Sequence, residues 1–263
     1  MPSKELAAPT VRGLVPFYAR HGVAIYQGAW QDVVPKFRAN SIDCLVTSPP
    51  YNQRLDNLNG SGIHKRWADN MRERAYADSV NERIYQAEQL VLLDQAHRVL
   101  KPTGSLFYNH KPRYRDKHCL HPLDWLRQSK LRLRQEIIWS KNGGVAVNCR
   151  MFCPSDERVF WLIKSDAFRW NQSQVGHCSV WRIPKAQPRD HGTRHPCPFP
   201  REIPRRCIAA TTTAGDVVLD PYMGIGSSVA AAVEAGRRAI GVELERDYCE
   251  AAVEAVERAA AAV

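Results

Sequence analysis

The 263-residue chain reads as an α/β fold, a mostly parallel twisted sheet with helices on both faces. Two observations predict it. Short apolar runs alternate along the chain with stretches of helical periodicity. Two of those runs, Ile42–Thr47 and Val217–Asp220, stop abruptly in a rigid or glycine-bearing turn, which is where open α/β sheets bind ligands.

In order, residues 23–27 are a strand candidate ended by Gly28, residues 33–37 a helical turn and residues 42–47 a buried strand. Residues 52–81 are polar and too long for an ordinary connection, so they read as a loop or lid. Residues 84–100 place Leu90, Leu93, Ala96, Val99 and Leu100 at helical spacing, and Pro102-Thr103-Gly104 stops the helix. Strands at 105–109, 135–140 and 158–164 follow, with a helix at 123–128. Residues 165–194 are polar and without periodicity. Regularity returns with helix 201–212, strand 217–220, helix 227–235, strand 239–243 and a closing helix 246–262. With no repeat and no linker, one domain over 1–263 is expected, with 52–83 as a loop near the substrate and 141–194 as a short insert at the rim.

Lys and Arg number 37 against 27 Asp and Glu, a net charge of +10 that suits a polyanionic partner. No apolar run has the length of a membrane span, and Met1 to Thr10 lack a signal-peptide core, so a cytoplasmic location is expected. The eight cysteines contain no Cys-x-x-Cys pair and read as reduced thiols, with no metal site expected.

The turn Asp220-Pro221-Tyr222-Met223-Gly224-Ile225-Gly226 lies between a strand and a helix, and Glu243 ends the next strand nineteen residues after Gly224. Glycines allow close backbone approach at a helix N-terminus, and an acid at the second strand end can accept from ribose hydroxyls. A dinucleotide fingerprint needs a third glycine where this chain has Val229, so a single nucleoside fits better, favouring S-adenosylmethionine over NAD.

The turn Ser48-Pro49-Pro50-Tyr51 has different chemistry. Consecutive prolines donate no backbone hydrogen bonds and restrict the residue before them to extended geometry. The Pro49 carbonyl and the Ser48 hydroxyl are left as acceptors, and Tyr51 offers a face on which an extrahelical base can stack. Acceptors are what methylation of a nucleobase amine needs, because its lone pair is delocalised until its protons are engaged. No strong base is required, and positioning does the work.

In these motifs the chain resembles the β-type amino-methylating DNA methyltransferases, in which the catalytic tetrapeptide precedes the cofactor glycines. Ser48-Pro-Pro-Tyr51 precedes Asp220 by about 170 residues. Residues 99–105 (Val-Leu-Lys-Pro-Thr-Gly-Ser), His195-Pro-Cys-Pro-Phe199-Pro200 and Gly241-Val-Glu243 with Tyr248 also match. The resemblance covers residues 22–258 and implies a Rossmann-like S-adenosylmethionine-dependent methyltransferase fold acting on double-stranded DNA. It implies a base pocket of Ser48, Pro49, Pro50 and Tyr51. It implies a cofactor site of Asp220, Pro221, Tyr222, Gly224, Gly226, Ser227 and Glu243, with His195, Phe199 and Pro200 closing it. One departure is Gly28-Ala29, where family members often carry Gly-Asp; Asp32 is the nearest substitute.

For DNA contacts, Arg54, Lys65, Arg66, Arg72 and Arg74 of the loop suit phosphates. Arg169, Asn171, Gln172, Gln174 and Arg182 of the insert can read base edges. So small an enzyme offers little surface to a duplex, which points to a homodimer. In the resembled family Ser at the first tetrapeptide position goes with cytosine N4 and Asp with adenine N6. Cytosine N4 is therefore the first reading, with adenine N6 as the alternative and an inactive DNA-binding scaffold as a rival of another class.

Overall fold

A computed structural model of the chain describes residues 6–53, 80–141, 151–174, 176, 178–186 and 199–263. The first strands, β1 (Tyr18–Arg20) and β2 (Val23–Gln27), form an antiparallel hairpin turned at His21-Gly22. A short helix α1 (Trp30–Val33) runs into a 3-10 turn, Val34–Lys36, and leads to β3 (Ile42–Thr47). Helix α2 (Glu82–Val99) starts at Asn81, whose side chain accepts from the Arg83 amide at 2.9 Å. Then come β4 (Leu100–His110), a small hairpin of β5 (Arg113–Arg115) and β6 (His118–Leu120), and helix α3 (Leu123–Leu126). The chain continues through β7 (Arg132–Ser140), β8 (Asp156–Ile163), β9 (Val180–Arg182), α4 (Glu202–Thr211) and β10 (Val217–Asp220). It ends with α5 (Ser227–Glu234), β11 (Arg238–Glu243) and α6 (Arg246–Ala261).

Among the described residues, nine strands form one sheet in the order β1-β2-β11-β10-β3-β4-β8-β7-β9. Strands β2, β11, β10, β3 and β4 run parallel, and β8 is antiparallel to both of its neighbours. Alternation along each strand divides the core between two layers. Val23, Ile25, Cys44, Val46, Phe107, Val218 and Ala239 face α4, α5 and α6. Ala24, Tyr26, Leu45, Leu106, Tyr108, Leu219, Ile240 and Val242 face α1, α2 and α3. No helix among the described residues is long and apolar enough to cross a membrane.

Two differences from the sequence reading have physical causes. Pro102-Thr103-Gly104 does not separate helix from strand: β4 begins at Leu100, and the turn is a bulge between the pairs Ile42–Leu100 and Cys44–Ser105. Strand β9 falls in the polar stretch 165–194 and was missed, because a three-residue edge strand carries no periodicity. Within the segment 141–194, the strand expected at 158–164 is β8, which sits inside the sheet with Phe160 and Leu162 fully buried.

Candidate active site

The carboxyl ends of β3 and β10, neighbours in the sheet, bring the two turns together. Thr47, the last residue of β3, donates from its hydroxyl to Asp220 Oδ1 at 2.8 Å, and Asp220 is the last residue of β10. Asp220 is buried and also receives the Ser228 hydroxyl and the Tyr222 amide. Burial pushes its carboxyl up to about 6, against the pull of those three donors.

The turn after Asp220 is built for close approach. Gly226 has φ +84°, and a Cβ there would lie 2.8 Å from the Ala252 side chain. At Gly241, on β11, a Cβ would overlap the sulfur of buried Met223, so the glycine lets the turn lie on the strand. Glu243 accepts from the Gly224 amide at 2.8 Å and from the Glu245 amide at 2.9 Å. Burial raises the pKa of its half-buried carboxyl, which keeps further lone pairs for hydroxyl donors. Tyr222 is fixed by the Trp30 indole N–H at 2.8 Å, and the Gly28 amide donates to the Glu243 carbonyl. Asp32, the substitute suggested for the missing acid after Gly28, is exposed in the first turn of α1.

Helix α5 begins at this turn, and its first residue, Ser227, has a buried hydroxyl with no partner among the described residues. An unpaired donor at a helix N-terminus, two close-approach glycines and a carboxylate with spare lone pairs fit a nucleoside with an anionic tail. Those features suit S-adenosylmethionine. Phe199 is half-buried against Trp139, and Pro200 is buried just before α4; His195 lies outside the described residues.

At the other turn, Ser48 and Tyr51 are half-buried and Pro49 is buried. Ser48 Oγ lies 3.0 Å from the Tyr51 hydroxyl. The Tyr51 hydroxyl donates to Glu157 Oε2 at 2.7 Å, and its ring packs on His110 at 4.5 Å between centroids. Asn109 Nδ2 reaches Ser48 Oγ at 3.2 Å, Tyr51 at 2.5 Å and Glu157 at 2.9 Å. The Tyr85 hydroxyl lies 2.8 Å from both the Pro50 carbonyl and His110 Nε2. Burial first, then Arg113, holds His110 well below its ordinary range, so it stays neutral.

Asn52, next in the chain, has φ +53° and is buried. Its side chain accepts from the Val80 amide and donates to Glu82, which also binds Arg113 in a bidentate pair at 2.7 Å. Asn52 and Val80, on either side of residues 54–79, are thus tied to the Glu82–Arg113 ion pair, while Arg54, Lys65, Arg66, Arg72 and Arg74 lie outside the described residues.

The insert residues divide. Arg182 is exposed at the end of β9, paired in register with Ser140 at the carboxyl edge of β7. Arg169 instead ion-pairs with Asp216, at the amino end of β10, and its amide donates to the Thr103 carbonyl. Asn171 donates to the Ala209 and Thr212 carbonyls at the end of α4. Both sit at the sheet edge opposite the two turns, engaged within the protein. Glu157, Asn109 and Lys141 were missed. The signal was present: Glu157 shares a face with Val159, Trp161 and Ile163 of β8, so an acid stands in a core-facing series.

This fold and paired-turn site define an S-adenosylmethionine-dependent methyltransferase. The family model for the N6/N4 DNA methylases matches residues 42–254, and the chain belongs to that family of DNA amino-methyltransferases. It is similar to the type II methyltransferase M.BglII of Bacillus subtilis, 26% identical over 90% of this chain and 69% of that protein. It is likewise 26% identical to M.ScaI of Streptomyces caespitosus, over 90% of this chain and 82% of that one. Among solved structures, the cytosine-N4-specific PvuII DNA methyltransferase superposes with TM-score 0.71 at 18% identity, covering 89% of this chain and 86% of that one. The Thermus thermophilus protein TTHA0409, in complex with S-adenosyl-L-methionine, superposes with TM-score 0.64 at 24% identity, over 90% and 93% of the two chains.

Proposed function

We propose that this DNA amino-methyltransferase acts site-specifically on duplex DNA and methylates the N4 amine of a flipped cytosine. The carrying observation is the Thr47–Asp220 hydrogen bond between adjacent strand ends, which supports reading the turn Ser48–Tyr51 as the base pocket and the turn Asp220–Gly226 as the cofactor site. The bound cofactor supplies an electrophilic methyl group. Ser48 Oγ and the Pro49 carbonyl accept from the amine of the base, freeing its lone pair, and Tyr51 flanks the ring. Asp220 and Glu243 organise the cofactor turn through the backbone amides of Tyr222, Gly224 and Glu245. His195, Phe199 and Pro200 are proposed to close the cofactor pocket. Arg182 and the loop cations Arg54, Lys65, Arg66, Arg72 and Arg74 are proposed to meet phosphates. A serine rather than an acid at position 48 supports cytosine. Adenine N6 is the alternative, in a protein that would serve restriction–modification as its type II relatives do.

The test incubates the protein with unmethylated genomic DNA and labelled S-adenosylmethionine, followed by nucleoside mass spectrometry. N4-methylcytidine from the wild type, absent with Ser48→Ala/Tyr51→Ala, is the expected result. N6-methyladenine would move the assignment to the other base. No methylated nucleoside, despite DNA and cofactor binding, would sink the catalytic reading in favour of an inactive scaffold.

A further inference from the structure

Beneath the turn Ser48–Tyr51, a buried carboxylate engages both groups that hydrogen-bond Ser48 among the described residues, Tyr51 and Asn109. Glu157 is 8% exposed, and its two oxygens face different partners. Oε1 receives the Lys141 ammonium at 2.7 Å. Oε2 receives the Tyr51 hydroxyl at 2.7 Å and the Asn109 amide at 2.9 Å.

A carboxylate only accepts, so the single phenolic proton of Tyr51 is committed to Glu157. The Asn109 amide must likewise turn its NH2 toward Glu157, because the opposite orientation would set two oxygens against each other. Its Oδ1 is then buried with no partner among the described residues, an orientation that Glu157 imposes. With its proton spent, the Tyr51 oxygen can only accept, so in the 3.0 Å contact the Ser48 hydroxyl is the donor. The remaining Ser48 lone pair is available to the substrate side.

We propose that Glu157 is a positioning residue which, through Tyr51 and Asn109, fixes Ser48 as a hydrogen-bond acceptor toward the amine of the target base, with Lys141 holding Glu157 in that role. This rests on the base-methylation reading above. Direction matters because an accepting Ser48 draws on an amine proton and releases the nitrogen lone pair, whereas a donating Ser48 would compete for that lone pair. Burial pushes the Glu157 carboxyl up. The Lys141 charge and bond, then Asn109 and Tyr51, outweigh burial and hold it below its ordinary value.

Glu157→Gln tests the polarity. Lys141 has only donors and so takes the glutamine oxygen, turning the glutamine NH2 toward Tyr51. Tyr51 then donates to Ser48, and the Ser48 proton points at the base. The kcat for DNA methylation is expected to fall about 100-fold, as for other lost charge-stabilising contacts, with KM for DNA little changed. In Lys141→Met/Glu157→Gln the glutamine is free to present its oxygen to Tyr51, and about tenfold of the lost kcat should return. A role confined to the ion pair predicts the reverse, a double variant no better than the single one.

Tyr51→Phe leaves the Lys141–Glu157 pair untouched and should lose kcat comparably, so the test survives if Glu157→Gln fails to fold. Folding of each variant is read from its thermal shift with S-adenosylhomocysteine. A wild type that methylates DNA alongside a folded Glu157→Gln or Tyr51→Phe of undiminished kcat overturns this inference alone. So does an unrescued double variant. A wild type that methylates no base overturns both this inference and the function it rests on.

Discussion

At the scale of single residues, Asp220 and Gly226 hold the turn between β10 and α5 by different means. Asp220 ionises inside the protein, where burial lifts it to about 6 from the ordinary 3.8. Between those values the folded state binds a proton that the unfolded chain has released, so stability falls as pH rises from about 4 to about 6. Other carboxylates act oppositely: Glu157 and Glu82 are held below their ordinary values, and what they contribute disappears as pH falls through their folded values. Urea unfolding of wild type and Asp220→Asn across pH 4 to 7 separates the contributions. The wild type should lose ground to the variant only over the lower part of that range, and a constant difference would refute the assignment. Gly226→Ala places a Cβ in a left-handed conformation and into Ala252. Strain and overpacking together should cost about 2–4 kcal/mol in thermal unfolding and abolish the shift given by S-adenosylhomocysteine.

At the scale of elements, Asn52 and Val80 are joined through Glu82 at the start of α2, which pairs with Arg113 on β5; the two side chains of that pair are 22% and 4% exposed. Removing Glu82 leaves the Arg113 guanidinium buried beside the Tyr85 and Trp125 rings with no carboxylate. Glu82→Ala should therefore cost about 3 kcal/mol in urea unfolding and raise KM for DNA by loosening the loop ends. A variant of wild-type stability would show that Arg113 finds another partner. The same element shows how far the sequence could be read. Helix α2 was visible because Leu93, Ala96 and Val99 repeat at helical spacing, and the two turns were visible because proline pairs and glycines have few structural uses. The ion pair joining residues 82 and 113, and the convergence of Tyr51, Asn109 and Glu157, were not. The convergence depends on strand order, and nothing local in the chain tells β8 that it will pair with β4. The ion pair depends on how the separate β5–β6 hairpin meets the start of α2. The ion pair of Arg169 with Asp216 was illegible for a related reason: an arginine in a polar stretch looks alike at either edge of a sheet.

At the scale of the whole molecule, the net charge of +10 has to be divided between cations that serve the fold and cations left for DNA. Position on the sheet makes the division. Arg169 and Asn171 sit at the amino edge, engaged with Asp216 and the end of α4, whereas Arg182 stands exposed at the carboxyl edge, beside the strand that leads to Lys141. Phosphate contacts release counterions, so each one adds about 1 to the slope of log K against log salt. Arg182→Ala should lower that slope by about 1 in fluorescence-anisotropy titrations at several salt concentrations, with unfolding free energy unchanged. Arg169→Ala should leave the slope alone and destabilise the fold by about 1–2 kcal/mol through the abandoned Asp216. Were the slopes to move the other way round, the DNA would lie across the amino edge, and the adjacency of Thr47 and Asp220 would no longer mark the face that meets the substrate.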